Sequence, residues 1–109
     1  MSRIDKVNSV LLRELAQLVE ENIYLENALI TISYVECSSD LRYAKIGVSV
    51  LPDKMSLPAI KKLKNSSSEF TRILRKKLKI RYIPKFNWQI DEREKYAQEI
   101  EQAIQHIKD

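Results

Sequence analysis

The sequence predicts an α+β domain, a three-stranded sheet with helices on one face, in the order helix, strand, strand, helix, helix, strand, helix. Three observations predict it. Apolar residues recur at three-or-four spacing near both ends of the chain and in its middle. Two neighbouring segments are rich in β-branched and aromatic residues, and a third alternates after Pro84. Clusters of Ser, Asp, Asn and Pro stand between these segments, where chain reversals need them. Each helix then has one apolar stripe to bury, and the strands supply the complementary surface.

The first helix covers residues 3–21, with Ile4, Val7, Leu11, Leu15, Leu18 and Val19 on one face and Ser2 with Asp5 as a capping box. Residues 28–37 form the first strand. In residues 41–51, Ala44, Ile46, Val48 and Val50 alternate with Lys45, Gly47 and Ser49 to give the second. The short link through Ser38, Ser39 and Asp40 favours an antiparallel pair. Pro52 and Asp53 end the second strand, and Ser56 is placed to cap a helix with Pro58 in its first turn and Ile60 and Leu63 facing inward. Asn65, Ser66, Ser67 and Ser68 carry side chains that compete for backbone hydrogen bonds, so a kink or turn is expected there. Ser66 and Glu69 then cap a further helix bearing Phe70, Ile73, Leu74 and Leu78. After Pro84, Phe86, Trp88 and Ile90 share one strand face. Asp91 caps the last helix, whose stripe is Tyr96, Ile100, Ala103, Ile104 and Ile107.

Composition bounds the rest. The 109 residues suit a single domain spanning 1–109, and 44% apolar against 31% charged residues is a folding composition rather than a disordered one. One Gly and three Pro leave no flexible linker, and no internal repeat is visible. A lone cysteine, Cys37, fits a reducing, cytoplasmic setting better than a secreted one. The opening residues are interrupted by charge too often for a secretion signal, and no stretch approaches the ~20 apolar residues that span a bilayer.

Charge is distributed unevenly. The net charge is +4, yet residues 61–85 hold ten basic side chains, Lys61, Lys62, Lys64, Arg72, Arg75, Lys76, Lys77, Lys79, Arg81 and Lys85, against the single acid Glu69. A polyanion is the natural partner for such a block. If about five phosphates are engaged, the logarithm of affinity should fall with the logarithm of salt at a slope of about −4 to −5. The plainer reading is a solvated basic face on a soluble protein. An anionic membrane is a poorer fit, since the basic helices lack a large exposed aromatic face.

The element order resembles that of the bacterial-type KH domain, in which a Gly-x-x-Gly loop between paired helices clamps the nucleic-acid backbone. Here that loop reads Asn65-Ser66-Ser67-Ser68, without the glycine that close phosphate approach needs. The chain is more similar to the ribosome-binding factor A family, a KH-like family with an interhelical kink in place of the glycine loop. The resemblance runs through Arg3-Ile4-Asp5-Lys6-Val7, Ile30-Thr31-Ile32 to Val35, and Ser39-Asp40-Leu41-Arg42-Tyr43-Ala44-Lys45. It continues in Phe70-Thr71-Arg72 and in Arg81-x-x-Pro84-x-Phe86-x-Trp88-x-x-Asp91. At the kink the family often has Ala-x-Gly, and this chain has Ser67, Ser68 and Glu69. The resemblance implies binding to free small (30S) ribosomal subunits and to 16S rRNA, and support of late 16S processing, including the 5′ region of the precursor. It also implies a role in cold adaptation beside other assembly factors, with no cofactor, no metal and no enzymatic chemistry, by a monomer in the cytoplasm. The RNA-binding candidates are Lys61, Lys62, Lys64, Arg72, Arg75, Lys76, Lys79, Arg81 and Lys85. The alternative is a protein-interaction module whose basic face meets an acidic partner.

Other residues have a sharper and a plainer reading. Cys37 has no CxxC companion or neighbouring His, so a small buried side chain is favoured over a nucleophile or ligand. His106, the only histidine, fits a surface or helix-end place better than a general base. Asp91, Glu92 and Glu94 fit a helix first turn better than a cation site. Phe86 and Trp88 fit core burial better than base stacking. Arg81 has two even readings, contact with RNA or pairing with an acid such as Asp91.

Overall fold

The structure, a computed structural model, describes residues 2–108, less the side chains of Glu94, Lys95 and residues 106–108. Helix α1 (Arg3–Asn22) opens on the expected capping box: the Asp5 amide donates to Ser2 Oγ at 3.1 Å, and the Ser2 amide donates to the Asp5 carboxylate at 3.3 Å. Two orphan donors of the first turn are thereby satisfied. The inward stripe of α1 is Leu11, Leu15, Leu18 and Val19, all buried.

Strands β1 (Leu29–Cys37) and β2 (Tyr43–Leu51) pair antiparallel across the short turn at residues 38–42. A 3₁₀ turn (Asp53–Met55) leads into α2 (Ser56–Lys77), which crosses over so that β3 (Lys85–Ile90) pairs parallel with β2. The sheet order is β1-β2-β3, with β2 central. Ala44, Ile46, Val48 and Val50 of β2 are buried under α1 and α2, as the alternation requires. From α2, Ala59, Leu63, Phe70 and Leu74 enter the same core, and truncating a residue such as Leu74 should cost about 2–5 kcal/mol. Phe86 and Trp88 enter it from β3, edge-to-face with ring centroids 5.8 Å apart, and Phe70 meets Trp88 at 6.5 Å.

The pairing of β1 with β2 shifts register between Ile32 and Tyr34, a β-bulge at Ser33. The shift sets Tyr34 opposite Gly47, the only glycine in the chain. The Tyr34 ring lies so close that a Cβ at residue 47 would sit 2.0 Å from its Cε2. Glycine is needed here for that close approach.

Three expectations are corrected. First, the two central helices are one: α2 runs without interruption through residues 65–68 and through Ser67, Ser68 and Glu69, where a kink or turn was expected. The serine hydroxyls do not compete for amide donors. Ser66 Oγ donates to the Lys62 carbonyl at 3.0 Å and Ser67 Oγ to the Leu63 carbonyl at 3.1 Å, so the backbone ladder stays intact between core anchors Leu63 and Phe70. Second, Ser56 is the first helical residue rather than the cap; Met55 stands at the cap with no side-chain hydrogen bond. Third, the stripe of α3 (Arg93–Lys108) does not join the core: Tyr96, Ile100 and Ile104 are 65%, 42% and 48% exposed. Helices α1 and α2 already fill the covered face of the sheet, and the chain leaves β3 through Asp91 tied to Arg93, beyond that face. Ile107 and His106 lie outside the described side chains.

Candidate nucleic-acid interface

An α-helix turns about 100° per residue, so positions three, four, eleven and fifteen apart share a face. Lys61, Lys64, Arg72, Arg75 and Lys76 have this spacing, and all five are exposed. They occupy the side of α2 opposite Ala59, Leu63, Phe70 and Leu74. The row extends over about 22 Å of helix at 1.5 Å per residue. Arg72 lies 3.8 Å from Glu69, with both side chains in solvent, a contact too loose to remove the arginine from service.

The other basic residues of the block, the candidates Lys62, Lys79, Arg81 and Lys85 and also Lys77, lie elsewhere. Lys62 turns toward the end of α1 and donates to the Tyr24 carbonyl. Lys77 lies off the outward row, with its side chain still 53% exposed: its Nζ lies 2.7 Å from Glu14, a carboxylate of α1 that is only 7% exposed. Arg13 stands 3.8 Å from the same group. This pair ties the two core helices and compensates an otherwise costly buried charge. Arg75, Lys76 and Lys77 also occupy the last turn of α2, where cations complement the helix dipole.

Lys79, Arg81 and Lys85 follow the helix and cluster at one end of the sheet. The Lys85 amide donates to the Arg42 carbonyl at 2.9 Å, which draws Arg42 beside the basic segment. Lys79 and Arg81 line a cleft with Arg3 and Tyr82. Arg3, Arg42 and Tyr82 were not singled out from the sequence as site residues. The only signal for Tyr82 was its place directly after a basic residue, and Arg3 and Arg42 were marked only as members of the motifs that carry the family resemblance. Arg81 does not pair with Asp91, as one of its two readings required; its guanidinium lies 5.5 Å from the Tyr82 ring centroid instead.

Asp91 belongs to Arg93, which reaches its carboxylate with two hydrogen bonds of 2.9 and 2.8 Å, while the Arg93 amide donates to it at 3.1 Å. These bonds hold the Asp91 carboxyl well below the usual carboxylate range. The Arg93 guanidinium also covers the Tyr34 ring at 4.6 Å. Asp91, Arg93, Tyr34 and Gly47 thus form one stack on the sheet face away from the core. Burial raises the Tyr34 hydroxyl pKa, aided by the charges of Asp91 and Glu36.

Phe86 and Trp88 are buried, and Trp88 Nε1 donates to Ser67 Oγ at 2.6 Å, so neither ring is presented for stacking. Ser67 is therefore committed to the core, while Ser68 and Glu69 face solvent. Cys37 is a half-buried free thiol that burial pushes up in pKa, an inert rather than a nucleophilic setting. Among the described residues no group of three or more His, Cys, Asp or Glu could hold a metal ion. No helix among them is long and apolar enough to cross a membrane. The side chains of Glu94 and His106 lie outside the described set.

Comparison with known proteins extends this picture over nearly the whole chain. A ribosome-binding factor A from Clostridium botulinum is 29% identical over 108 residues, covering 95% of this chain and 93% of the relative. The crystal structure of ribosome-binding factor A from Thermus thermophilus superposes with a TM-score of 0.68 at 17% identity, over 80% of this chain and 93% of that one. A homology model of the Thermus thermophilus protein, fitted into a cryo-EM map of its complex with 30S, matches with a TM-score of 0.64 at 19% identity. It covers 77% of this chain and 90% of its own. The family model for ribosome-binding factor A matches residues 3–104, and the chain belongs to that family.

Proposed function

We propose that this protein binds the free small ribosomal subunit and lays the outward face of α2 on its 16S rRNA. By binding energy alone it would stabilise a late maturation intermediate, including one in which the 5′ region of the precursor is being processed. The observation that carries this reading is the row of Lys61, Lys64, Arg72, Arg75 and Lys76 on one exposed helix face, with no buried acid against it among the described residues. Cations so arranged displace counterions from a phosphate backbone without requiring a base sequence. The relative fitted into a map of a 30S complex supports the choice of partner. No reaction is part of this reading. It places the protein in the cytoplasm as a monomer, acting beside other assembly factors and most needed in the cold.

The test is sedimentation of cell extract at low salt with the variant Arg72→Glu, Arg75→Glu, Lys76→Glu. The expected result is that the parent runs with free small subunits and the variant stays at the top of the gradient while remaining folded. Unaltered co-sedimentation of the variant overturns the α2 reading. A complex that survives RNA digestion would instead make the face a docking site for an acidic protein.

A further inference from the structure

The segment that leaves α2 alternates. Leu78, Ile80 and Ile83 are half-buried and Pro84 is buried, whereas Lys79, Arg81 and Tyr82 are exposed. Four apolar anchors therefore fix the path of the segment and hold the three outward side chains in place. Opposite them stand the first two turns of α1 with Arg3, Ile4 and Val7, and the turn at residues 39–41 closes the end. The half-open cleft is about 780 Å³, within the range of about 300–1,000 Å³ typical of small-ligand sites. Its apolar floor continues past Val7 into a shallower groove with Val10, Leu78 and Ile80.

The electrostatics of this cleft are one-sided. Its acid, Asp40, is already engaged: Ser38 Oγ donates to it at 2.7 Å, the Arg42 amide at 3.1 Å, and the Arg42 guanidinium lies 3.8 Å away. Those bonds, the Ser38 hydroxyl first, lower its pKa and keep it ionised within its own turn. Arg3, Lys79 and Arg81 have no ion-pair partner among the described residues. Tyr82 offers a flat ring that is 70% exposed, with the Arg81 guanidinium over one of its faces at 5.5 Å from the centroid. A ligand that fits has a flat π-surface, an apolar edge and negative charge on either side, which is the chemistry of an unpaired nucleotide in a strand. An acidic peptide would use the cations and leave the aromatic plane without a purpose.

We propose that this cleft is a binding site for single-stranded RNA. One unpaired base stacks on the face of Tyr82 away from Arg81, above the floor formed by Ile4 and Val7, and Arg3, Lys79 and Arg81 hold the flanking phosphates. The proposal rests on the reading of the chain as a ribosomal RNA binder and adds a site for an unpaired nucleotide, apart from the α2 face.

The probe is a fluorescein-labelled single-stranded RNA of about six nucleotides, a length within the span of one small binding domain, followed by anisotropy at low salt. Loss of one base stack should weaken binding by Tyr82→Ala about 5- to 100-fold, while Tyr82→Phe, which keeps the ring, stays within about 2-fold of the parent. Arg3→Gln should reduce the salt slope by about 0.7, the contribution of one phosphate contact on a single strand. Since Tyr82 is largely in solvent, the variants should fold, and unchanged Trp88 fluorescence checks this. Oligonucleotide binding by Tyr82→Ala equal to the parent overturns the proposal, as does displacement by polyglutamate as effective, charge for charge, as unlabelled RNA. The α2 charge-reversal variant separates the two readings. If it loses subunits while Tyr82→Ala binds the oligonucleotide normally, the cleft fails and the proposed function stands. If it keeps subunits while Tyr82→Ala loses the oligonucleotide, the α2 face fails and the cleft stands.

Discussion

Replacing Arg75 and Lys76 by glutamine should change the salt dependence of subunit binding by a calculable amount. Five outward cations lie on α2, and each phosphate contact on a duplex contributes about 0.9 to the slope of log affinity against log salt. With all five engaged the slope is about −4.5, and raising salt from 50 to 200 mM weakens binding about 500-fold. With three left the slope is about −2.7, and the same change weakens binding only about 40-fold. Pelleting of labelled protein with purified small subunits across that salt range measures both slopes. Lys77→Gln is the internal control, because Lys77 lies off the outward row and its charge is paired with Glu14. It should leave the slope unchanged and cost about 1–3 kcal/mol of stability by leaving a buried carboxylate poorly compensated. A double variant with the parent's slope would refute the counterion account, as would a Lys77→Gln slope reduced as much as the others.

Further predictions concern the framework. Gly47→Val forces the Tyr34 ring off β2 and should cost about 1–3 kcal/mol in urea unfolding. The same substitution in a Tyr34→Ala background should cost less, the difference being the coupling between the two sites. Ser67→Ala removes the acceptor of the Trp88 indole and should cost about 1–3 kcal/mol, with a shift in the emission of the only tryptophan. Asp91→Asn should lower stability at pH 7 and flatten its decline in acid. The folded-state pKa of Asp91 lies below its unfolded value of about 3.9, so its contribution is complete above that pH and is lost as pH falls through the folded value. Thermal unfolding between pH 7 and pH 2 measures it, and parallel pH curves for parent and variant would contradict the assignment.

Most of the fold was legible because local pattern and tertiary demand agree. Ala44, Ile46, Val48 and Val50 alternate in the sequence and are buried in the structure, and the Ser2–Asp5 capping box forms as the spacing indicates. The failures arise where one residue type has two ways of satisfying its hydrogen bonds. Ser66 and Ser67 can end a helix or bond back to its carbonyls, and which they do depends on Leu63 and Phe70 being held in the core on either side. The stripe on α3 misled for a different reason. Periodicity states that Tyr96, Ile100 and Ile104 share a face, but not whether a surface remains for that face to cover.

The two parts of the proposed RNA surface differ in the same way, and the difference explains what a sequence can carry about a site. The α2 row is written locally, since spacings of three, four and eleven within one helix fix a common face before any tertiary contact forms. The cleft is not written anywhere along the chain. Arg3 meets Lys79, Arg81 and Tyr82 only because α1 packs under the sheet and α2 returns the chain to the start of β3 beside Arg42. The same long-range packing offsets a charge that the sequence counts: Lys77 stands among ten cations in the linear block, yet Glu14, 63 positions away, pairs with it. Net charge along a segment therefore identifies the class of partner, a polyanion. Which cations meet that partner is decided by where the core helices place their acids.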